Sequence, residues 1–430
     1  MRISTSQKGG SVLVITLILC VLVGLMLAAY LNLVGSQNKF TQRSQVWNNV
    51  IPLCEAGVEE ALTHINYSGT TSNFAINGWV LSNTNYIKTR TNSDGRYQMS
   101  ISTDIQPVIT VQGFLLVPVQ TNYLSRTVQV KTTLNRRFPQ AVLAKGAISM
   151  GGNAIAVNSF NSTNSAYNTG GQYDPLKARD QATVATDSKT AGSVSIGNAN
   201  VFGKAATGPG GTVVLNNGTV GDTAWDSNNA NRGAIEPGHS ANDMNIYIPD
   251  VKLPPSLLGA APPGPQISIL GVVTANYLLT SGDYALDSIN LSSSSKILVT
   301  GKARLYVRGS TSMSGQAQIE ILPGGSLEFY SAGTASFGGG GVLNDPGNAA
   351  NFAFYGLPSC TSVSYGGNAG FIGTIYAPEA SVTMQGTSDM VGAFVGNTVT
   401  LGGNGSMHYD EALQGDPTEG RYLVASWLEL

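Results

Sequence analysis

The chain has 430 residues, of which only 11% are charged, and a formal net charge of −2. That length holds more than one domain and a sizeable core, while so weak a charge leaves no electrostatic footprint for nucleic acid. Its 52 glycines, with abundant Asn, Ser and Thr, suit tight turns between many short strands.

Residues 9–37 carry no charged side chain and follow a head that contains Arg2 and Lys8. A helix from Val12 to Val34 is about 34 Å long at ~1.5 Å per residue, enough to cross a hydrocarbon core of about 30 Å. The run is longer than the apolar part of a cleaved secretory signal. No small-x-small site with a polar start follows it. Positive residues ahead of it favour a cytoplasmic N-terminus, with the bulk periplasmic or extracellular. Residues 1–35 therefore read as a leader and transmembrane helix, with membrane lipid as a partner. Residues 36–68 read as an amphipathic helix. Trp47, Ile51, Cys54, Val58, Leu62 and Ile65 recur at steps of three and four and share one stripe. Glu55, Glu59 and Glu60 lie mostly off it, and Pro52 predicts a kink or break near Val50–Ile51.

Lys8-Gly9-Gly10 stands directly before Ser11-Val12-Leu13-Val14-Ile15. This arrangement resembles the basic-Gly end of a prepilin leader and the start of its helix. Cys54-Glu55-Ala56-Gly57-Val58-Glu59-Glu60-Ala61-Leu62 resembles the AEAGxEEAL stretch of PilX-type minor-pilin-like assembly proteins. The resemblance covers about residues 7–66. It implies a type IV pilus or pseudopilus component, pilin-like subunits as partners, and leader cleavage between Gly10 and Ser11. Such cleavage makes Ile15 the fifth mature residue, where major pilins carry Glu. The departure points away from a major filament subunit.

The remainder reads as β structure. Residues 69–140 form a small antiparallel domain, with strands at Tyr97–Ser102, Pro107–Val111, Phe114–Val119 and Arg126–Thr133. Residues 141–250 alternate short strands with Gly/Asn turns, and ISMGGNAIAV resembles VSIGNANVFG, a sign of repetition. The proline-rich stretch 251–266 reads as an extended crossing segment. Strand–turn–strand phrases resume over 267–413, and 414–430 is read as a C-terminal tail. Absent helical periodicity, the fold class is mainly β: two N-terminal helical segments, a small antiparallel β domain, then a parallel β-helix (β-solenoid)-like domain. Ile319, Ile321, Phe371, Ile375, Val382, Phe394, Val399 and Leu401 are its expected inward residues. The phrase GTIYAPEASVTMQG…GSMHYDEAL resembles a C-terminal domain of uncharacterised bacterial surface proteins, and its texture is similar to bactofilin-type polymer-forming coils.

Chemistry is thinly signalled. Asp283, Asp287, Asp345, Glu379 and Asp389, with Lys302, Arg304 and Arg308, are the carboxylates and bases a polysaccharide-active β-helix enzyme would draw on. No two of the acids form a local motif. His408 and Asp410 lie two apart and share a strand face, but no third ligand stands nearby. His64, His239 and His408 lack metal-ligand spacing. Neither GxSxG nor a phosphate-binding GxxxxGK[ST] occurs. Cys20, Cys54 and Cys360 include no CxxC and read as unpaired. No catalytic, metal or cofactor residue is assigned, and the chain is read as non-enzymatic. The favoured function is a membrane-anchored, exported minor-pilin-like component whose outer part acts as spacer, adhesin or contact with a surface polymer or cell-surface ligand. The alternatives are an extracellular polysaccharide-active enzyme and a bactofilin-like polymerising scaffold.

Overall fold

The computed structural model describes residues 9–68, 72–93, 95–104, 106–118, 122–135, 138–152, 155–264, 267–269, 272–367, 370–414 and 421–430. Arg2 and Lys8 lie outside them. The chain is mainly β, with one long helix at its start. The described residues fall into two compact units: 9–135 with 421–430, and 138–414.

In the first unit, helix α1 runs unbroken from Gly9 to Ser68. The break expected at Pro52 is absent. Pro52 and Asn48 both lie on the exposed side, where solvent can take the place of the missing N–H. Helix α2 (Ser72–Ile76) precedes five strands: β1 (Val80–Ser82), β2 (Asn85–Thr91), β3 (Gly95–Ser102), β4 (Val108–Leu116) and β5 (Tyr123–Asn135). The two runs read separately at 107–111 and 114–119 are one strand. Gln112 and Gly113 keep the alternation and pair with both neighbours.

The sheet's sixth strand is Arg421–Glu429, in the stretch read from sequence as a tail. It pairs antiparallel with β5 from Asn135↔Arg421 to Val128↔Glu429. β5 spans 13 residues against 9 in β4, and without this strand its outer edge would stand unpaired. One face of the sheet buries Met99, Ile101, Ile109, Val111, Val128 and Val130 against α1.

The second unit is built of parallel strands in register. One ladder reads Tyr284, Leu305, Phe329, Phe354, Ile375, Phe394, Val142, Val184, Ala205 and Ser240 across successive neighbours. A second runs Ile289, Thr311, Ala335, Val363, Val382, Val399, Ile148, Val194 and Val213. A separate four-stranded parallel sheet aligns Tyr277, Ile297, Ile319 and Val342. Alternate residues point inward, and all eight inward candidates are buried. The two similar pieces are stacked neighbours, with Ile148 on Val194 and Val157 on Val201.

Stacking order is not chain order. Residues 141–160 lie between the strands of 182–206 and those of 390–410, so the chain starts in the middle of its own stack. After 240–241 it travels along the outside to the opposite end. Met244 N–H donates to the Thr207 carbonyl, 3.0 Å, and Ile246 N–H to the Asp187 carboxylate, 2.9 Å. Tyr376 OH donates to the Pro249 carbonyl, 2.7 Å, and Arg304 to Ser256 Oγ, 3.2 Å. Ala285 N–H reaches the Ala261 carbonyl at 3.0 Å. These bonds touch the parallel strands in the order of their ladder, so 242–264 is an external strap.

Candidate functional site

The feature that sets this chain apart is α1. From Val12 to Val34 its apolar side chains are exposed, Leu13 by 71% and Met26 by 70%. The helix is long and apolar enough to cross a membrane by length and composition, with a mean hydropathy of 3.1 in its apolar window. Its second half is seated on the sheet. The buried seam is Val46, Val50, Cys54, Val58, Ala61 and Ile65, turned slightly from the expected stripe. Trp47 stays 45% exposed, and Ile51 and Leu62 flank the core.

Two glycines set that rotation. A Cβ on Gly57 would stand 2.6 Å from Val111 Cγ1 and 3.0 Å from Tyr97 Cδ2. A Cβ on Gly113 of β4 would meet Cys54 Sγ at 3.0 Å and Val50 Cγ1 at 3.1 Å. Each element thus lacks a side chain where the other presses closest. Beside Gly57, Glu60 takes a 2.7 Å ion pair from Lys88, hydrogen bonds of 3.0 and 3.2 Å from Arg90 Nε, and a 3.1 Å bond from Tyr97 OH. Burial pushes the Glu60 carboxyl up, but the bonds from Lys88 and Arg90 outweigh it and hold the group below its ordinary range. Within the Cys-Glu-Ala-Gly-Val stretch, Cys54, Gly57 and Val58 therefore form the docking face of the helix, while Glu55 and Ala56 stay exposed.

Two further ties were not legible. The Asn66 side chain donates to the Tyr422 carbonyl, 3.0 Å, and accepts from the Tyr422 N–H, 2.6 Å. Arg126 donates to the Trp47 carbonyl at 3.1 Å and lies 4.7 Å from the Trp47 ring centroid. It also grips the Glu429 carboxylate through Nε, 2.6 Å, and a second nitrogen. The alternation of Arg421–Glu429 is the signal in the sequence that leads to the Asn66–Tyr422 and Arg126–Glu429 ties; none points to the Arg126–Trp47 contact.

The acids and bases weighed for catalysis are spread over different rungs. Asp283 makes a bidentate pair with Arg304, both bonds 2.7 Å, and hydrogen bonding from Arg304 holds its carboxyl below the ordinary range. Asp287 pairs with Arg308 at 2.9 Å. Glu379 shares Lys145 with Asp250. Asp345 ends a strand, its N–H on the Ile321 carbonyl, and Lys302 begins another. Among the described residues no three His, Cys, Asp or Glu side chains group to hold a metal.

His408 and Asp410 share a face but do not bond to each other. His408 Nδ1 lies 2.6 Å from Asn158 Oδ1, its ring stacks 3.6 Å from that of Tyr173, and Nε2 is 3.4 Å from Asp389 without a hydrogen bond. Burial lowers the His408 pKa, against the opposing pull of Asp389. Asp410 accepts from the N–H groups of Ser162 and Ala412, both at 3.0 Å. This cluster pins the 161–181 loop beside strand Met407–Asp410 and its neighbour Ala156–Phe160. Cys54 and Cys360 are both free and buried.

These features define a class: a mainly β protein carried on a long N-terminal helix, half exposed and apolar, half seated on an antiparallel sheet. Residues 266–416 match the family model described as "Domain of unknown function (DUF7305)". No curated protein matches the chain. Among solved structures, the competence-associated pilin ComZ from Thermus thermophilus aligns over 88% of this chain and 97% of that chain, at 11% identity and a TM-score of 0.28. So loose a superposition supports neither a shared fold nor a shared role.

Proposed function

We propose that this chain is a membrane-anchored, exported structural protein, a minor-pilin-like component of a type IV pilus or pseudopilus system. The observation that carries the reading is α1. One continuous helix offers an exposed apolar half to lipid or to neighbouring helices, and its other half holds a folded head through the stretch that resembles PilX-type proteins. The leader is cleaved between Gly10 and Ser11. The parallel strands wind as a β-helix, displayed outward as spacer or adhesive surface. Support for the winding comes from inter-rung pairings that recur about every 20–25 residues. A non-enzymatic role fits the weighed acids Asp283, Asp287 and Glu379, each of which is held by a cation.

Two measurements test the proposal together. A reporter fused at Leu430 should be active only when it needs the periplasm. Mass spectrometry of the membrane-purified chain should give Ser11 as first residue in cells with an active prepilin peptidase. A cytoplasmic reporter signal would overturn the anchoring reading, and an intact leader would overturn the pilin-like processing.

A further inference from the structure

Among the described residues the six-stranded sheet of the first unit ends in two edges with no further strand, β1 on one side and Arg421–Glu429 on the other. Its strands alternate in direction throughout. With an even number of them, the two edge strands run opposite ways. Both edges are apolar: Val80 and Leu81 are 67% and 55% exposed, Trp427 and Leu428 43% and 54%.

One row of side chains crosses the whole sheet: Leu81, Tyr86, Ile101, Ile109, Val130 and Trp427. The backbone at its two ends is in matching phase. Leu430 N–H donates to the Thr127 carbonyl, 2.9 Å, so Leu430 and Leu428 face β5, while Trp427 and Glu429 turn their N–H and C=O groups outward. At the other edge Ser82 and Asn85 close a two-residue turn, so Leu81, next in line, turns its groups outward too. The upper part of the C-terminal strand is already engaged, since Asn66 occupies the backbone of Tyr422 and the register shifts between Val424 and Ser426. What stays open beyond the shift suits a strand as short as β1.

We propose that a second copy of this chain docks edge to edge, with Val80–Ser82 of one copy antiparallel to Ser426–Leu428 of the next. Continuing the row sets Leu81 opposite Trp427, Val80 opposite Leu428 and Ser82 opposite Ser426, apolar on apolar and hydroxyl on hydroxyl. The isologous alternative, in which two copies of the same edge strand (C-terminal on C-terminal, or β1 on β1) pair with each other, needs a two-fold axis normal to the sheet. Because α1 lies along the sheet face, that axis would point the two apolar helices in opposite directions. Exclusion of that choice rests on the anchoring reading above. The edge-to-edge contact keeps every α1 pointing one way and does not close, so it builds rows. Three residue pairs bind weakly, and confinement to one membrane supplies the effective concentration.

The test uses the full chain in native membranes with Cys20→Ser, since Cys54 and Cys360 are buried. Under mild oxidation, V80C/L428C should give a ladder of dimers, trimers and higher species. Co-expressed V80C and L428C single variants should give dimers only, and each alone should stay monomeric. Trp427→Lys, at an exposed site, should abolish the ladder. Dimers from L428C alone would overturn the proposal in favour of the two-fold pairing. A membrane-bound double variant that stays monomeric would overturn it outright. Carbonate extraction of the same membranes reads anchoring separately, and a chain released by carbonate would sink the anchoring reading instead.

Discussion

Gly57→Ala sets two effects of known size against each other. Helix propensity alone favours Ala by about 0.8–1 kcal/mol. Against it, the new methyl stands 2.6 Å from Val111 Cγ1, 3.0 Å from Tyr97 Cδ2 and 3.3 Å from Met99 Cγ. Val111 is fully buried and β-branched, so its χ1 has little freedom to yield. Overpacking such a site costs about 1–3 kcal/mol. The clash wins, and Gly57→Ala should destabilise the first unit by about 1 kcal/mol. Val111→Ala removes the closest atom. In that background Gly57→Ala should be neutral or stabilising by up to ~1 kcal/mol, a coupling of about 1–2 kcal/mol. Native-state hydrogen exchange of β3 and β4 amides, on the full chain in nanodiscs, reads all four corners of the cycle. If Gly57→Ala slows exchange in the parent, or the two changes simply add, α1 does not approach the sheet as closely as described.

Phe394→Ala should cost about 3–5 kcal/mol, because Phe394 is fully buried between Ile375 and Val142, and exchange should quicken on both flanking rungs; protection unchanged at Val142 would refute the join. The His408 pKa is lowered by burial, so the neutral ring favours folding. That contribution is complete above the ordinary value of about 6.5 and is lost as pH falls through the folded value. The second unit should therefore melt at lower temperature at pH 5.5 than at 7.5, with a smaller difference in His408→Gln; equal slopes would remove His408 from the account. Burial raises the Cys54 thiol and pushes Cys360 up to about 11. Maleimide at pH 7.5 should label neither in the native chain and both after denaturation, and native labelling of Cys54 would mean that α1 lifts off the sheet.

Periodicity made the ordered parts legible. The charge-free run gave the exposed half of α1, and alternation over 318–401 gave the inward residues. What failed was pairing, which local pattern does not encode. The stripe expected from periodicity falls one residue off at Trp47, Ile51 and Leu62, because glycines carry no hydropathy signal and it is Gly57 and Gly113 that fix the rotation. Pro52 signals a break in the sequence because its exposed setting is a tertiary fact. Arg421–Glu429 carries strand-forming residues but no partner nearby in sequence, its partner being nearly 300 residues upstream. The acids offered for catalysis were close in kind and separate in space. No spacing rule distinguishes that from a cluster when the residues are spread over successive parallel strands.

The strap has a consequence for biogenesis. Residues 142–160 are made early, yet one flank of those strands is completed by 394–410, roughly 250 residues later. At about 5–20 residues per second that flank waits roughly 10–50 s as a naked parallel edge. Such an edge invites any passing strand to pair with it. The strap, 242–264, is likewise made before the strands it crosses at 282–307 and 371–386, so its bonds to them close only once those strands are present.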